Sequence, residues 1–251
     1  MSGFAADQPG AEVRPSPNFG ARRGPSAPDT LILHYTGMAT GRAAEDWLCD
    51  PGSEVSSHYL VHEDGRIVQM VREADRAWHA GKSFWHGVTD INSCSVGIEI
   101  VNPGHVLGYS AFPRRQVEAV IALSAGICER HGIRPERVLA HSDVAPGRKI
   151  DPGEKFPWRR LAEAGVGRFV PASPIRQGAA LAEGDAGGAV EELQTLLSLY
   201  GYGIDITAVF DDRTRVVVEA FQRHFRPRRV DGIADGSTLR TLRRLVATAA
   251  A

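Results

Sequence analysis

The sequence predicts an α/β domain, with a central mixed β-sheet flanked by helices, followed by a small all-α domain of three helices. Two observations carry this. In the longer first part of the chain, short β-branched apolar runs alternate with stretches of helical period, as strands covered by helices require. A stretch rich in Gly, Pro and Ala, "GVGRFVPASPIRQGAALAEGDAGG" (165–188), then interrupts the pattern, and only helical periodicity follows it. The expected organisation is an extended N-terminal arm over residues 1–28, the α/β domain over 29–165, a linker over 166–180 and the three-helix domain over 181–248.

Each element has its own signal. "TLILHYTG" (30–37) is apolar and β-branched before a glycine, a core strand. "AAEDWLCD" (43–50) reads as a short helix. "SSHYLVHEDGRIVQMV" (56–71) is a hairpin whose alternating runs meet at Asp64-Gly65. "SCSVGIEIVN" (93–102) is a further strand. From Pro113 to His131, apolar residues recur at helical spacing until Gly132 stops the run. A strand over 137–141 and a helix beginning near Pro157 complete the domain. Beyond the linker come three stripes: Val190, Leu193, Leu196, Leu197 and Tyr200; then Val217, Ala220, Phe221 and Phe225; then Leu239, Leu242, Leu245 and Val246. Asp211 and Asp235, each three residues before a threonine, fit the N-caps of the second and third helices.

Bulk properties exclude several classes of function. A formal net charge of −1 argues against a nucleic-acid binder driven by phosphate contacts. No apolar run reaches the roughly 18 residues that membrane insertion needs. The first thirty residues lack a basic segment followed by an apolar one, which makes the cytoplasm the expected location and the periplasm the alternative. Cys49, Cys94 and Cys128 have no C-x-x-C spacing and read as small buried residues rather than disulfides or thiolate ligands.

The chemistry gathers on strand ends and one loop. In "HSDVAPGRKIDPG" (141–153), Pro146-Gly147 prevents a regular helix and Pro152 biases Asp151 toward extended backbone. Lys149 and Asp151 would then face one space. A surface loop with a capping aspartate is the alternative. His34 ends an apolar strand, where a lone histidine is more often a hydrogen-bonded core residue than a ligand. Val96, Ile98 and Ile100 take one face of their strand, leaving Ser95, Gly97 and Glu99 on the other. A carboxylate there needs a partner or a wet cavity, because burying it unpaired is costly; a salt bridge to a covering helix would also serve. Taken together, His34, His141 and Asp151 offer two nitrogens and one oxygen, a catalytic zinc inventory with the fourth position left to water. Glu99 would then move protons, and Lys149 would stabilise the oxyanion formed at an amide carbonyl.

Five segments, "LILHYTG", "SSHYLVHEDGRIVQMV", "RAWHAGKSFWHG", "NSCSVGIEIVN" and "HSDVAPGRKIDPGEKFPW", resemble in content and order the zinc-dependent N-acetylmuramoyl-L-alanine amidases of the type 2 amidase family, from about Asp29 to Leu161. The resemblance implies one Zn2+ per chain on His34, His141 and Asp151, with Glu99 and Lys149 as the catalytic pair. It implies cleavage of the amide between N-acetylmuramic acid, or its 1,6-anhydro form, and L-alanine of the stem peptide, in wall turnover or recycling. Trp78, His79 and Asn92 fall in segments that border the family's substrate groove, whereas His58, His62 and His86 carry no implied role. "LQTLLSLYGY", "VFDDRTRVVVEAFQ" and "VDGIADGSTLRTL" resemble the peptidoglycan-binding three-helix domain. The expected partners are therefore peptidoglycan fragments or polymer, with no nucleic acid, no membrane insertion and no protein partner implied. A binding-only receptor on the same fold is the rival; the full ligand set argues for an enzyme.

Overall fold

The strand and helix signals resolve into one mixed sheet whose two faces have different covers. The computed structural model describes residues 4–24 and 27–249, so residues 1–3, 25 and 26 of the expected arm lie outside the described residues. The arm contributes β1 (Glu12–Val13) and β2 (Phe19–Gly20). Next come β3 (Thr30–Tyr35), α1 (Gly41–Leu48), β4 (Tyr59–Val61), β5 (Ile67–Gln69) and β6 (Arg76–Ala77). A one-turn helix α2 (Ile91–Cys94) leads into β7 (Ser95–Ile100), so residues 93 and 94 of the expected strand are helical instead. The long helix α3 (Arg114–His131) ends at Gly132, whose φ of +64° is the left-handed cap that glycine supplies most readily. β8 (Val138–Ala140), α4 (His141–Val144) and α5 (Trp158–Glu163) follow.

The main sheet runs β1-β5-β4-β7-β3-β8, with β4 and β5 antiparallel and the other pairs parallel. One face carries Leu31, Leu33, Val96, Ile98, Ile100 and Val138 and is covered by Val120, Leu123 and Ile127 of α3. Residues one position out of phase face the other way, because side chains alternate along a strand.

The second face is covered from the C-terminal region. After β9 (Ala180–Leu181) come α6 (Gly188–Tyr200), α7 (Asp212–Phe225), β10 (Ala234–Asp235) and α8 (Gly236–Ala249). Both capping aspartates behave alike: Asp211 accepts from the N–H and hydroxyl of Thr214, and Asp235 from those of Thr238. The helices do not enclose a private core. Ile32, Leu139 and Val144 share one buried cluster with Leu193, Leu197, Phe221 and Phe225.

The arm is stitched down by charge as well as by β1 and β2. Arg22 donates to the carbonyls of Glu73, Asn92, Ser93 and Ser95. Asp7 accepts from the backbone N–H of Glu73 and from Gln69. Burial alone would push the Glu73 carboxyl up, but hydrogen bonds from His131, Arg130 and Tyr59 outweigh it and hold the group down at about 2. A carboxylate depressed in this way stabilises the fold above its unfolded pKa and loses that contribution as pH falls through its folded one. Glu73→Gln is therefore expected to cost on the order of 2–3 kcal/mol at pH 7. The deficit should shrink between about pH 4.5 and pH 2, which denaturant titrations at pH 7 and pH 3 would measure.

Candidate metal centre

Three strand ends and one loop build the site. β3 lies beside β8 with Leu33 opposite Ala140, so His34 and the next residue of the second segment, His141, emerge side by side. On its other flank β3 pairs with β7, and His34 stands directly opposite Glu99. Paired residues of parallel strands project to the same face, so the register delivers both groups to one space. The chain from 141 makes one helical turn, where the sequence predicts none; the Asp143 carboxylate caps it by accepting from the Ala140 N–H. The Ser142 N–H donates to the Asp151 carbonyl at 3.0 Å, which folds the loop back and returns Asp151 to His141.

His34 Nδ1, His141 Nδ1 and Asp151 Oδ2 form a nearly equilateral triangle with edges of 2.9, 3.0 and 3.1 Å. All three side chains are buried, and they are the one such group of metal-ligand type found among the described residues. The outer ring nitrogens show which atoms carry hydrogen. His141 Nε2 lies 3.0 Å from the Ala80 carbonyl, closer than the Arg148 guanidinium at 3.4 Å, and donates to that carbonyl. Ser95 Oγ gives its own hydrogen to the Ile91 carbonyl, so it accepts from His79 Nε2. His79 Nδ1 in turn accepts from His34 Nε2, 3.0 Å away. Both inner nitrogens are thereby left as lone pairs aimed at a carboxylate oxygen.

Three acceptors at such distances repel one another unless a cation sits among them. Burial, reinforced by the neighbouring His141, lowers the His34 pKa to about 4, so a proton is a poor candidate for that cation near neutrality. Burial would raise the Asp151 pKa, but His141 and His34 more than offset it and the carboxylate stays ionised. Two neutral imidazoles and one carboxylate suit zinc, whose tetrahedral ligands lie about 3.3 Å apart, slightly wider than this triangle.

His141 and Asp151 open onto a cleft of about 420 Å³ whose lining also includes Tyr35, Trp47, Trp78, Glu99 and Lys149. Glu99 has one carboxyl oxygen, Oε2, buried with no hydrogen-bond partner among the described residues. Burial first, and the charge of Asp151 second, raise its pKa well above the usual carboxylate value, while Lys149 pulls it down.

The three residues expected at the groove separate. Trp78 is half-buried and lines the cleft. His79 touches it too, but both its nitrogens are engaged beneath His34. Asn92 is buried, and its Oδ1 accepts from the backbone N–H groups of His79 and Ala80 at 3.0 and 2.8 Å. It braces the segment that carries His79 and Ala80. Sequence reasoning missed Ser95, although the two-residue period that placed Glu99 puts Ser95 on the same face. His58 is buried and accepts from the Gly97 N–H, and His62 pairs with Glu45, so both are structural.

Comparison with known proteins fits this geometry. Residues 24–154 match the family described as N-acetylmuramoyl-L-alanine amidase, and residues 186–242 match a peptidoglycan binding domain. The N-acetylmuramoyl-L-alanine amidase AmiD of Escherichia coli is 38% identical over 226 residues, covering 83% of this chain and 78% of that protein. The 1,6-anhydro-N-acetylmuramyl-L-alanine amidase AmpD of the same organism is 30% identical over 61% of this chain and 90% of its own length. Among solved structures, AmiD from E. coli superimposes with a TM-score of 0.76 at 35% identity, over 90% of this chain and 91% of that one. AmpDH3 from Pseudomonas aeruginosa does so with a TM-score of 0.75 at 31% identity, over 99% and 100%. The chain belongs to the N-acetylmuramoyl-L-alanine amidase family and carries a peptidoglycan binding domain behind its amidase domain.

Proposed function

We propose that this protein uses one zinc ion, held by His34, His141 and Asp151, to hydrolyse the amide between N-acetylmuramic acid or its 1,6-anhydro form and the L-alanine of a stem peptide. The observation that carries the metal is the convergence of two imidazole lone pairs and a carboxylate oxygen within 3.1 Å of one another. The amidase family is zinc-dependent in general. Zinc bound there would act as a Lewis acid on water and on the amide carbonyl. Glu99, its pKa raised by burial, takes the proton of the attacking water and returns it to the leaving amine. Lys149, which lines the same cleft, stabilises the oxyanion that forms as the carbonyl is attacked. Trp78 offers an apolar wall for substrate, and His79 and Asn92 hold the ligand segment.

The substrate assignment draws on two complexes of relatives: AmiD with anhydro-N-acetylmuramic acid-L-Ala-D-gamma-Glu-L-Lys, and AmpDH3 with an anhydromuramic pentapeptide. Mass spectrometry of products from intact sacculi and from soluble anhydro-muropeptide tests the reading. Free stem peptide is expected from the metal-loaded protein and none after chelation. Preference for the soluble substrate would indicate a recycling role suited to the cytoplasm, and preference for sacculi a periplasmic one. If zinc binds fully and neither substrate is cut, the binding-only receptor becomes the correct reading.

A neighbouring glycine offers a second test. A Cβ on Gly97 would lie 2.6 Å from the His79 ring, too close to tolerate without movement. Gly97→Ala should therefore displace His79 from His34 Nε2 and weaken zinc binding about 10- to 100-fold, as loss of a ligand's hydrogen-bond partner does. Competition with a chromogenic chelator would measure it.

A further inference from the structure

The segment that supplies His141, Lys149 and Asp151 is backed along its length by the C-terminal region. Asp143, in the same helical turn as His141, is fully buried. Its Oδ1 accepts from the Tyr202 hydroxyl at 2.7 Å. Its Oδ2 accepts from His224 Nδ1 at 2.7 Å and from the Ala140 backbone N–H at 2.8 Å. His224 is fixed in turn, stacked between Trp158 and Phe225 with ring centroids 3.8 and 3.9 Å away. Further along α7, Val216 lies against Gly147, where an added Cβ would meet it at 3.2 Å. Arg213 donates to the Pro146 carbonyl at 3.3 Å. Positions 213, 216, 220 and 224 recur at helical spacing, so a single face of α7 seats residues 143–147.

We propose that the C-terminal helical region, besides any grip on peptidoglycan, is a brace of the metal centre, with Tyr202 and His224 acting as positioning residues for His141 and the loop bearing Asp151. The argument is geometric. A single helical turn has too few internal hydrogen bonds to fix its own direction. Here the turn's orientation is set by a carboxylate held by three donors, two of them from the C-terminal region. An error of a few tenths of an ångström at His141 opens the ligand triangle. The proposal rests on the zinc reading given above.

The test uses the full-length protein and four variants: Tyr202→Phe, His224→Phe, His224→Asn, and Leu245→Ala as a control. Leu245 is buried in the cluster that α8 shares, so its truncation loosens the helical region without removing a donor to Asp143. Each protein is measured for zinc affinity by chelator competition, for the visible spectrum of its cobalt-substituted form, and for melting temperature. Tyr202→Phe and His224→Phe are expected to weaken zinc binding about 10-fold or more and to shift the cobalt bands. His224→Asn, whose amide can replace the Nδ1 donor, should recover much of the affinity. Leu245→Ala should lower the melting temperature and leave affinity and spectrum at parental values. The proposal is overturned if both donor-removing variants match the parent in affinity and spectrum, or if Leu245→Ala loses as much zinc affinity as they do. Tyr202→Phe deletes a single hydroxyl, so it keeps the test decisive should His224→Phe fail to fold. A parent protein that binds no zinc would overturn the metal reading itself, and the brace with it.

Discussion

Glu99→Gln is expected to lower kcat by about 10²- to 10⁴-fold, the usual worth of a positioned proton carrier, while zinc content stays at one per chain. The substitution keeps the size and shape of a side chain that stands opposite His34 on the neighbouring strand, so the ligand triangle should be undisturbed. What it removes is a carboxyl group that can take up and release a proton. Burial and the charge of Asp151 both push the Glu99 pKa up. In the metal-free protein this has a stability consequence of definite sign. A carboxyl whose folded pKa is raised opposes folding increasingly as pH rises above its unfolded value. Metal-free Glu99→Gln should therefore match or exceed the parent in stability at pH 7, although it is nearly inactive when loaded. Single-turnover kinetics with metal analysis, and denaturant melts of the stripped proteins, check the two halves separately. A variant that loses zinc together with activity would sink the proton-carrier role.

Lys149→Met should cost about 10²- to 10³-fold in kcat, the effect of removing one oxyanion donor, with a small change in KM. Methionine preserves the length of the stem at this half-buried wall of the cleft, so the loss is electrostatic. The pH profile carries a second signature. Lys149 is the cation that draws the Glu99 pKa down; without it the protonated form of Glu99 is favoured, and the acid limb of kcat should move to higher pH. A drop in kcat with an unmoved acid limb would mean that Lys149 and Glu99 are not electrostatically coupled. An increase in KM alone would mean that Lys149 binds ground-state substrate.

The parts of the site governed by period and register are legible in the amino-acid sequence. Alternation sets Glu99 apart from Val96, Ile98 and Ile100, and the apolar run ahead of His34 marks a central strand. The hairpin, the long helix ending at Gly132 and the capping pair Asp211 and Asp235 are readable because each depends on a few adjacent residues. What escapes depends on distant ones. The turn at 141–144 forms because Asp143 caps it and Ser142 bonds to Asp151, which no propensity records. Asn92 lies just before a strand, in a turn without a period that could show whether it faces groove or interior. Nothing near Tyr202 or His224 points to Asp143, fifty-nine and eighty-one positions away. The glycine- and proline-rich stretch suggests a linker between separate bodies, yet Ile32 and Leu139 share their buried cluster with α6 and α7.

The anchoring of Arg22 bears on where this enzyme can be cut. The segment that aligns with the amidase family begins at residue 24, two residues after the guanidinium that gathers the carbonyls of Glu73, Asn92, Ser93 and Ser95. It stops at 154, well before the helix that seats the ligand loop. A protein trimmed to that segment would keep His34, His141 and Asp151 and lose the tie at each end: four carbonyls left without their Arg22 donor on one side, and Asp143 exposed on the other. The amidase match and mechanical integrity thus have different borders in this molecule, and a fragment that begins ahead of Arg22 and extends past His224 is expected to hold metal better than one cut to residues 24–154.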